Sequence, residues 1–155
     1  MDQLKFVVLD EEDLEVASTH LQDAVAKVAD VRWRPREKRL VLAVNRFDWE
    51  GALSAQPEYR RRRAALRFER VLSCKCRGVS PAGKDAVLNL LAIEFSETDA
   101  PAGVVTVTFS GGATLRLQVE CLEAELADLG PSWSTTVCPV HAVVDGEPPP
   151  ASRRR

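Results

Sequence analysis

The sequence is poor in the residues on which most catalytic sites depend. It has 2 histidines and 1 tyrosine, and aromatic residues make up only 6% of the chain. A Ser-His-Asp or Cys-His arrangement would need His20 or His141, and His20 falls on or near the polar face of a predicted helix. No glycine-rich loop leads into Lys-Ser or Lys-Thr, so the usual phosphate loop is missing. These gaps favour a binding function over catalysis, and we expect no cofactor. An enzyme that uses Asp48, Glu50 or Cys138 stays an alternative.

Long apolar runs are also missing. The most apolar run, residues 86–93, ends at Glu94, far short of the roughly 20 residues that a bilayer requires. The apolar stretch near the N-terminus covers only Phe6 to Leu9, too short for the core of a signal peptide. We therefore expect a cytoplasmic protein that does not contact membranes. With 45% apolar and 28% charged residues, the composition predicts one globular domain over 1–144, and the Pro/Arg-rich segment 145–155 is expected to be a disordered tail.

The chain has 4 cysteines, which a cytoplasmic protein keeps reduced. Cys74, Cys76 and Cys138 could join His141 as four zinc ligands. Zinc ligands usually bracket a turn, however, whereas Cys74 and Cys76 continue the apolar face of a predicted strand. We therefore predict buried thiols and no metal.

Alternating apolar and polar residues predict a mostly antiparallel sheet of about six or seven strands. Leu4 to Leu9 is the first predicted strand, and Asp10 caps an amphipathic helix whose apolar stripe reaches Val28. Residues 31–34 and 39–47 form a predicted hairpin, and Gly111-Gly112 closes a second one.

The remaining segments complete a single α+β domain. Residues 48–63 lack periodicity and are predicted to form a loop, and the spacing of leucines predicts a short C-terminal helix over Leu122–Leu129. A pleckstrin-homology-like half barrel has a similar set of elements and is the alternative fold.

Two local patterns need an explanation. Arg70 occupies an apolar position of the strand predicted from Leu66 to Arg77, so a bulge shifts the register or the guanidinium reaches a carboxylate or an anion. In residues 45–50, we expect Phe47 and Trp49 to pack over the sheet edge while Arg46 pairs with Asp48 or Glu50.

Several segments resemble those of a known protein family. They are LDEEDL at 9–14, HLQDAVAKVAD at 20–30, NRFDWE at 45–50, RRRRAALRFERV at 60–71 and VECLEAELADLG at 119–130. Over residues 3–141 the chain is similar to a family of small, uncharacterised bacterial proteins, a domain of unknown function. The resemblance implies no activity and no catalytic residues.

Charge is distributed unevenly along the chain although the net charge is only -2. Residues 31–77 carry fourteen Lys and Arg against five Asp and Glu, a net +9, whereas residues 1–30 and 78–150 are acidic. Arginine dominates this basic centre, and two aromatic residues lie among the cations. The candidate partner- or anion-binding residues are Arg32, Trp33, Arg34, Arg36, Lys38, Arg39, Tyr59, Arg60, Arg61, Arg62 and Arg63.

These residues predict a non-catalytic binding or adaptor protein that contacts an acidic protein surface or a second copy of itself. Guanidinium groups also bind phosphate, and aromatic rings stack on bases, so an RNA-, DNA- or ribosome-associated binder is the alternative. The net acidity favours a protein partner, because dedicated nucleic-acid binders are usually basic.

Overall fold

Strands dominate the computed structural model, which describes residues 3–47, 49, 60–79, 83, 86–130 and 133–134. Within these residues there are eleven strands and one α-helix. In chain order they are β1 Lys5–Val8, α1 Glu11–His20, β2 Val25–Lys27, β3 Val31–Arg34, β4 Arg39–Phe47, β5 Arg60–Phe68, β6 Val71–Arg77, β7 Val87–Glu97, β8 Gly103–Phe109, β9 Thr114–Val119, β10 Ala124–Asp128 and β11 Trp133–Ser134.

The strands pair antiparallel in the order β1-β10-β5-β4-β2-β7-β8-β9-β6, with β3 on β4 and β11 on β5. We call β1, β10, β5, β4 and β2 with the added strands the first half of the sheet, and β7, β8, β9 and β6 the second half. Both halves contribute alternate apolar side chains to one buried cluster, including Leu42 and Leu66 from the first half and Val107 and Leu117 from the second. The sheet therefore encloses its core from two sides.

The chain passes from one half to the other at a corner. Strand β5 leads into β6 through Glu69 and Arg70, and the backbone amide of Glu69 donates to the carbonyl of Glu123, at 2.9 Å. The amide of Glu120 donates to the carbonyl of Arg70, also at 2.9 Å. The β5–β6 and β9–β10 connections thus turn side by side and satisfy each other's backbone groups.

Several local predictions are confirmed. Strands β3 and β4 have the predicted bounds, and Gly111 and Gly112 lie between β8 and β9 with positive φ angles of 79° and 86°. Helix α1 follows β1, and the Asp10 side chain caps it by accepting a hydrogen bond from the Asp13 amide at 2.8 Å. No helix among the described residues has the length and apolar character to cross a lipid bilayer.

The predicted element set is wrong in three places. Helix α1 ends at His20, and Val25–Lys27 is a strand. The loop predicted over 48–63 gives way to β5 at Arg60. The predicted C-terminal helix is strand β10, because the spacing that places Leu122 and Leu126 on one helix face also places them on one strand face.

The overall fold prediction needs the same correction. Eleven strands among the described residues replace the expected six or seven, and the half-barrel alternative loses the closing helix on which it depended. The term α+β fits only loosely, since α1 is the single α-helix of the described ranges. The domain prediction over 1–144 stays a prediction, and the tail at 145–155 lies outside the described residues.

Arg70 explains why the strand predicted from Leu66 to Arg77 is two strands. Its φ of 58° is left-handed, which breaks the alternation, and a register shift follows between Val71 and Ser73. Val71 is consequently buried and Leu72 exposed, the reverse of the predicted pattern. Arg70 itself is exposed, and its Nε donates to Glu123 Oε1 at 3.1 Å. Both explanations considered for Arg70, a register shift and a carboxylate partner, therefore hold.

Candidate functional site

Four of the predicted binding residues lie together on an exposed surface. Arg32 and Arg34 alternate along β3, and Arg36 and Lys38 lie in and after the turn that joins β3 to β4. We call these four residues the hairpin basic surface. Each is exposed, whereas Arg39, at the start of β4, is partly buried.

The local sequence accounts for this arrangement. Pro35 begins a single 3-10 turn over Pro35–Glu37, and Lys38 ends it with a left-handed φ of 54°. Alternation along β3 then sends Arg32 and Arg34 outward, while Trp33 packs against the core. Within the described residues, β3 pairs only with β4 and so has an open edge.

The ion pairs divide the hairpin cations into two groups. Lys38 Nζ lies 2.8 Å from Glu120 Oε2, and this hydrogen bond lowers the pKa of Glu120. Arg39 Nε lies 2.9 Å from Glu69 Oε2. Arg32, Arg34 and Arg36 form no ion pair with any residue in the described part of the chain. Their guanidinium groups remain available to a partner.

The predicted arginine run lies elsewhere. Arg60, Arg61, Arg62 and Arg63 begin β5, and in the β4–β5 register Arg61 is opposite Phe47, at the far end of β4 from the hairpin turn. Arg61 and Arg62 are only 2% and 5% exposed, and Arg63 bonds Asp30 and Asn45 at 3.2 Å. The structure therefore does not bring the run and the hairpin basic surface together, and Tyr59 lies outside the described residues.

A buried ionic cluster surrounds the arginine run. Arg46 and Arg62 are opposite each other in β4 and β5, and both approach the carboxylate of Asp128 in β10. Arg46 donates two hydrogen bonds to Asp128, at 2.9 and 3.0 Å, and the Leu4 amide donates a third at 2.7 Å. Burial alone would raise the pKa of Asp128, but these hydrogen bonds and the two arginine charges lower it. The cluster stabilises the ionised carboxylate inside the protein.

Sequence reasoning missed Asp128 because it assigned residues 122–129 to a helix. Once β10 is read as a strand, Asp128 shares the inward face of Ala124 and Leu126. A carboxylate at an inward position is the signal that a buried cation lies nearby.

Phe47, the last residue of β4, and Trp49 pack against each other. The rings of Phe47 and Trp49 meet edge to face with centroids 4.7 Å apart, and Trp49 Nε1 donates to the carbonyl of Gln22 at 3.1 Å. The guanidinium of Arg61 lies 5.8 Å from the centre of the Phe47 ring. Arg46 pairs with Asp128, whereas its predicted partners, Asp48 and Glu50, lie outside the described residues.

The prediction of buried thiols is wrong for the described cysteines, since Cys74 and Cys121 are only partly buried and Cys76 is exposed. Burial and the neighbouring Cys76 thiol raise the pKa of Cys74 to about 12, so Cys74 stays protonated at neutral pH. No group of three or more His, Cys, Asp or Glu within the described ranges could hold a metal ion. Cys138 and His141, the other predicted zinc ligands, lie outside those ranges.

Comparisons with known proteins agree with the resemblance of the sequence segments. Searches of curated proteins and of solved structures found no match. The family described as "Protein of unknown function (DUF2948)" matches residues 4–141. This match covers most of the chain, and the protein therefore belongs to that family of unknown function.

Proposed function

We propose that this protein binds an acidic segment of a partner protein through the hairpin basic surface and catalyses no reaction. One observation carries the proposal. Arg32, Arg34 and Arg36 project from an open strand edge and an adjoining turn, and none has an ion pair in the described part of the chain.

The neighbouring cations behave differently. On the same half of the sheet, Arg39, Arg63 and Arg67 each have a carboxylate partner within 3.2 Å. The first half of the sheet therefore compensates its central cations internally, whereas Arg32, Arg34 and Arg36 have no carboxylate partner among the described residues. Planar guanidinium groups bind carboxylates at two points, which suits an acidic protein segment.

A protein partner is favoured over nucleic acid. Binding to single-stranded nucleic acid usually combines cations with exposed aromatic rings on which bases stack. In the hairpin of β3 and β4, Trp33 packs against the core and Phe47 is 0% exposed, so neither ring is free to stack on a base. The net charge of -2 is also unlike that of dedicated nucleic-acid binders, which are usually basic.

The proposal is tested with a fluorescent poly-glutamate peptide as the probe. In the test variant, Arg32→Glu, Arg34→Glu and Arg36→Glu are combined, and Lys38 is kept because it pairs with Glu120. We expect peptide affinity to fall at least about tenfold, because opposite charges replace three contacts. The matched control combines Gln3→Glu, Lys5→Glu, Gln22→Glu and Lys27→Glu, at exposed positions outside the hairpin, with the same change in net charge.

The control shows whether peptide binding depends on the hairpin basic surface or only on the net charge of the protein. Equal losses of peptide affinity in the test variant and the control, or a loss only in the control, would overturn the proposal. An RNA oligonucleotide of equal charge that binds where the peptide does not would instead identify a nucleic-acid binder. Sedimentation of the wild-type protein and the test variant shows whether a second copy supplies the acidic segment, since only then does self-association depend on Arg32, Arg34 and Arg36.

A further inference from the structure

A second group of cations lies on the outward face of the other half of the sheet. Strands β6 and β9 pair so that Lys75 is directly opposite Arg116 and Arg77 is opposite Thr114. Ser73 and Gln118 are opposite each other one step further along the same face. Lys75, Arg77 and Arg116 are all exposed. We call these three residues the β6–β9 cluster, and none of them belongs to the predicted binding set.

The cluster lines a shallow cavity. Its volume is about 190 Å³, and its walls include all three cations together with the polar side chains of Ser73, Thr114 and Gln118. Val104 also lines the cavity, and none of its described lining residues is a carboxylate. Sites for drug-sized ligands usually measure ~300–1,000 Å³, so this cavity suits a smaller ligand.

The three neighbouring positive charges destabilise the fold unless an anion compensates them. Like charges directly opposite on one face of a sheet repel each other. Within the part of the chain that the structure describes, none of the three cations has an ion pair. The row of directly paired residues continues across the sheet from Arg116 in β9 to Thr106 in β8 and Glu94 in β7. Glu94 is the first carboxylate in this row. At a strand spacing of about 4.8 Å, that places Glu94 roughly 10 Å from Arg116 along the sheet.

The backbone holds these cations in place. Leu115 and Leu117, on either side of Arg116, are buried in the core. At the end of β6, Gly78 packs so closely on the β8–β9 turn that a Cβ there would lie 2.7 Å from the carbonyl oxygen of Gly112. Two strands anchored in this way fix the backbone positions of the three cations before any ligand arrives, so that only their side chains lose freedom on binding.

We propose that the β6–β9 cluster binds a phosphate group, either as the free ion or as a small phosphomonoester. A dianionic phosphate matches three cations better than a single carboxylate does. Arg116 and Arg77 offer paired N–H donors, Lys75 a compact charge, and Ser73 and Thr114 hydroxyl donors. This site is independent of the hairpin basic surface and of the proposed protein partner.

The test is calorimetric titration of the full chain with sodium phosphate and with glycerol 1-phosphate, at constant ionic strength set with chloride. We expect saturable binding with Kd near ~1–10 mM for the better probe, and Arg116→Gln or Lys75→Gln should weaken it at least about tenfold. Lys27→Gln, at an exposed cation of β2 that belongs neither to the hairpin basic surface nor to the cluster, is the matched control and should change the affinity less than about twofold. The probe that binds more tightly identifies the source of the phosphate group.

A stability measurement distinguishes loss of the site from loss of the fold. Without phosphate, Lys75→Gln should leave the melting temperature unchanged or raise it, because it removes the repulsion from Arg116. The proposal is overturned if neither probe saturates by about 50 mM, since such weak binding would not be specific. It is equally overturned if Arg116→Gln and Lys27→Gln have the same effect, or if an oligonucleotide binds while neither small probe does.

Discussion

Arg46 and Asp128 form a two-point ion pair inside the protein, with Nε–Oδ1 and Nη2–Oδ2 distances of 2.9 and 3.0 Å. Their side chains are 1% and 0% exposed. The pair spans β5, because Arg46 lies in β4 and Asp128 in β10 on either side of it. Arg62, opposite Arg46 in β5, adds a second positive charge 3.9 Å from the same carboxylate. Asp128 therefore offsets the repulsion between two buried arginines.

Replacing Asp128 with asparagine should strongly destabilise the fold. Asp128→Asn keeps the shape but leaves Arg46 buried without its counter-charge, which typically costs ~3–5 kcal/mol. Urea unfolding followed by circular dichroism measures the change. Glu94→Gln, at an exposed carboxylate with no ion pair among the described residues, is the control and should change stability by less than about 0.5 kcal/mol. Similar effects in the two variants would show that the buried pair contributes little.

The lowered pKa of Asp128 also predicts how stability depends on pH. The unfolded chain, with an aspartate pKa near about 3.9, binds a proton at Asp128 before the folded protein does. The stabilising contribution of Asp128 is therefore fully present above roughly pH 5, and it is lost as pH falls below about 4 through the folded pKa. The stability difference between the wild type and Asp128→Asn should shrink over that acidic window. A constant difference from pH 7 to pH 3 would contradict this assignment.

Gly78→Ala should destabilise the protein more than Gly111→Ala does. Both glycines have positive φ, 73° and 79°, so each substitution carries a backbone cost of ~1–2 kcal/mol. Only at Gly78 would the new methyl group also meet a backbone oxygen, that of Gly112 at 2.7 Å, whereas nothing lies within 4 Å at Gly111. Thermal unfolding of the two variants measures the difference. Equal losses of stability would mean that the β8–β9 turn moves away from the new methyl group at position 78 without a loss of stability.

The stability of the fold should depend more on the backbone conformation of Arg70 than on the ion pairs of its side chain. The φ of 58° is strained for most residues but open to glycine and asparagine, and the ion pairs with Glu120 and Glu123 are exposed. Arg70→Gly and Arg70→Asn should therefore leave the stability close to that of the wild type. Arg70→Val should be clearly less stable than either, since a β-branched residue resists this conformation. Chemical denaturation measures the stability of the three variants. Equal losses of stability in all three would show that the ion pairs stabilise the β5–β6 connection.

The two neighbouring cysteines should differ in reactivity. Because the pKa of Cys74 is about 12, almost none of it is thiolate at neutral pH, whereas Cys76 is exposed. Iodoacetamide at pH 7.5, followed by peptide mass spectrometry, should label Cys76 first and Cys74 only after unfolding. Cys76→Ser is the control in which Cys74 should still react slowly. Rapid labelling of Cys74 in the folded protein would refute its protonated, partly buried state.

Local pattern was sufficient where a structural element depends on its own residues. The hairpin of β3 and β4 follows from alternation around Pro35, and the turn at Gly111 and Gly112 follows from two residues that accept positive φ. The outward positions of Arg32 and Arg34 could be read in the same way, since neighbouring side chains alternate across a strand. The basic surface on the hairpin was thus predictable in residue and in exposure.

The local sequence pattern gave a wrong prediction where one segment is compatible with two different structures. Leu122 and Leu126 suit a helix and a strand equally, and pairing with β1 on one side and β5 on the other selected the strand. The run from Arg60 to Arg63 suggested a solvated surface, yet burial of Arg61 and Arg62 depends on neighbouring strands and on a carboxylate distant in sequence. Such burial is decided by which strands pack together and not by the residues of the run.

The sequence by itself determined the local turns, most strand positions and the uneven distribution of charge along the chain. Only the tertiary structure decided which of those charges meet. It paired Arg46 with Asp128 inside the protein, separated the arginine run from the hairpin, and placed Lys75 opposite Arg116. The physical reason is that antiparallel pairing joins residues far apart in the chain, and their register is set by packing the whole apolar face into one core.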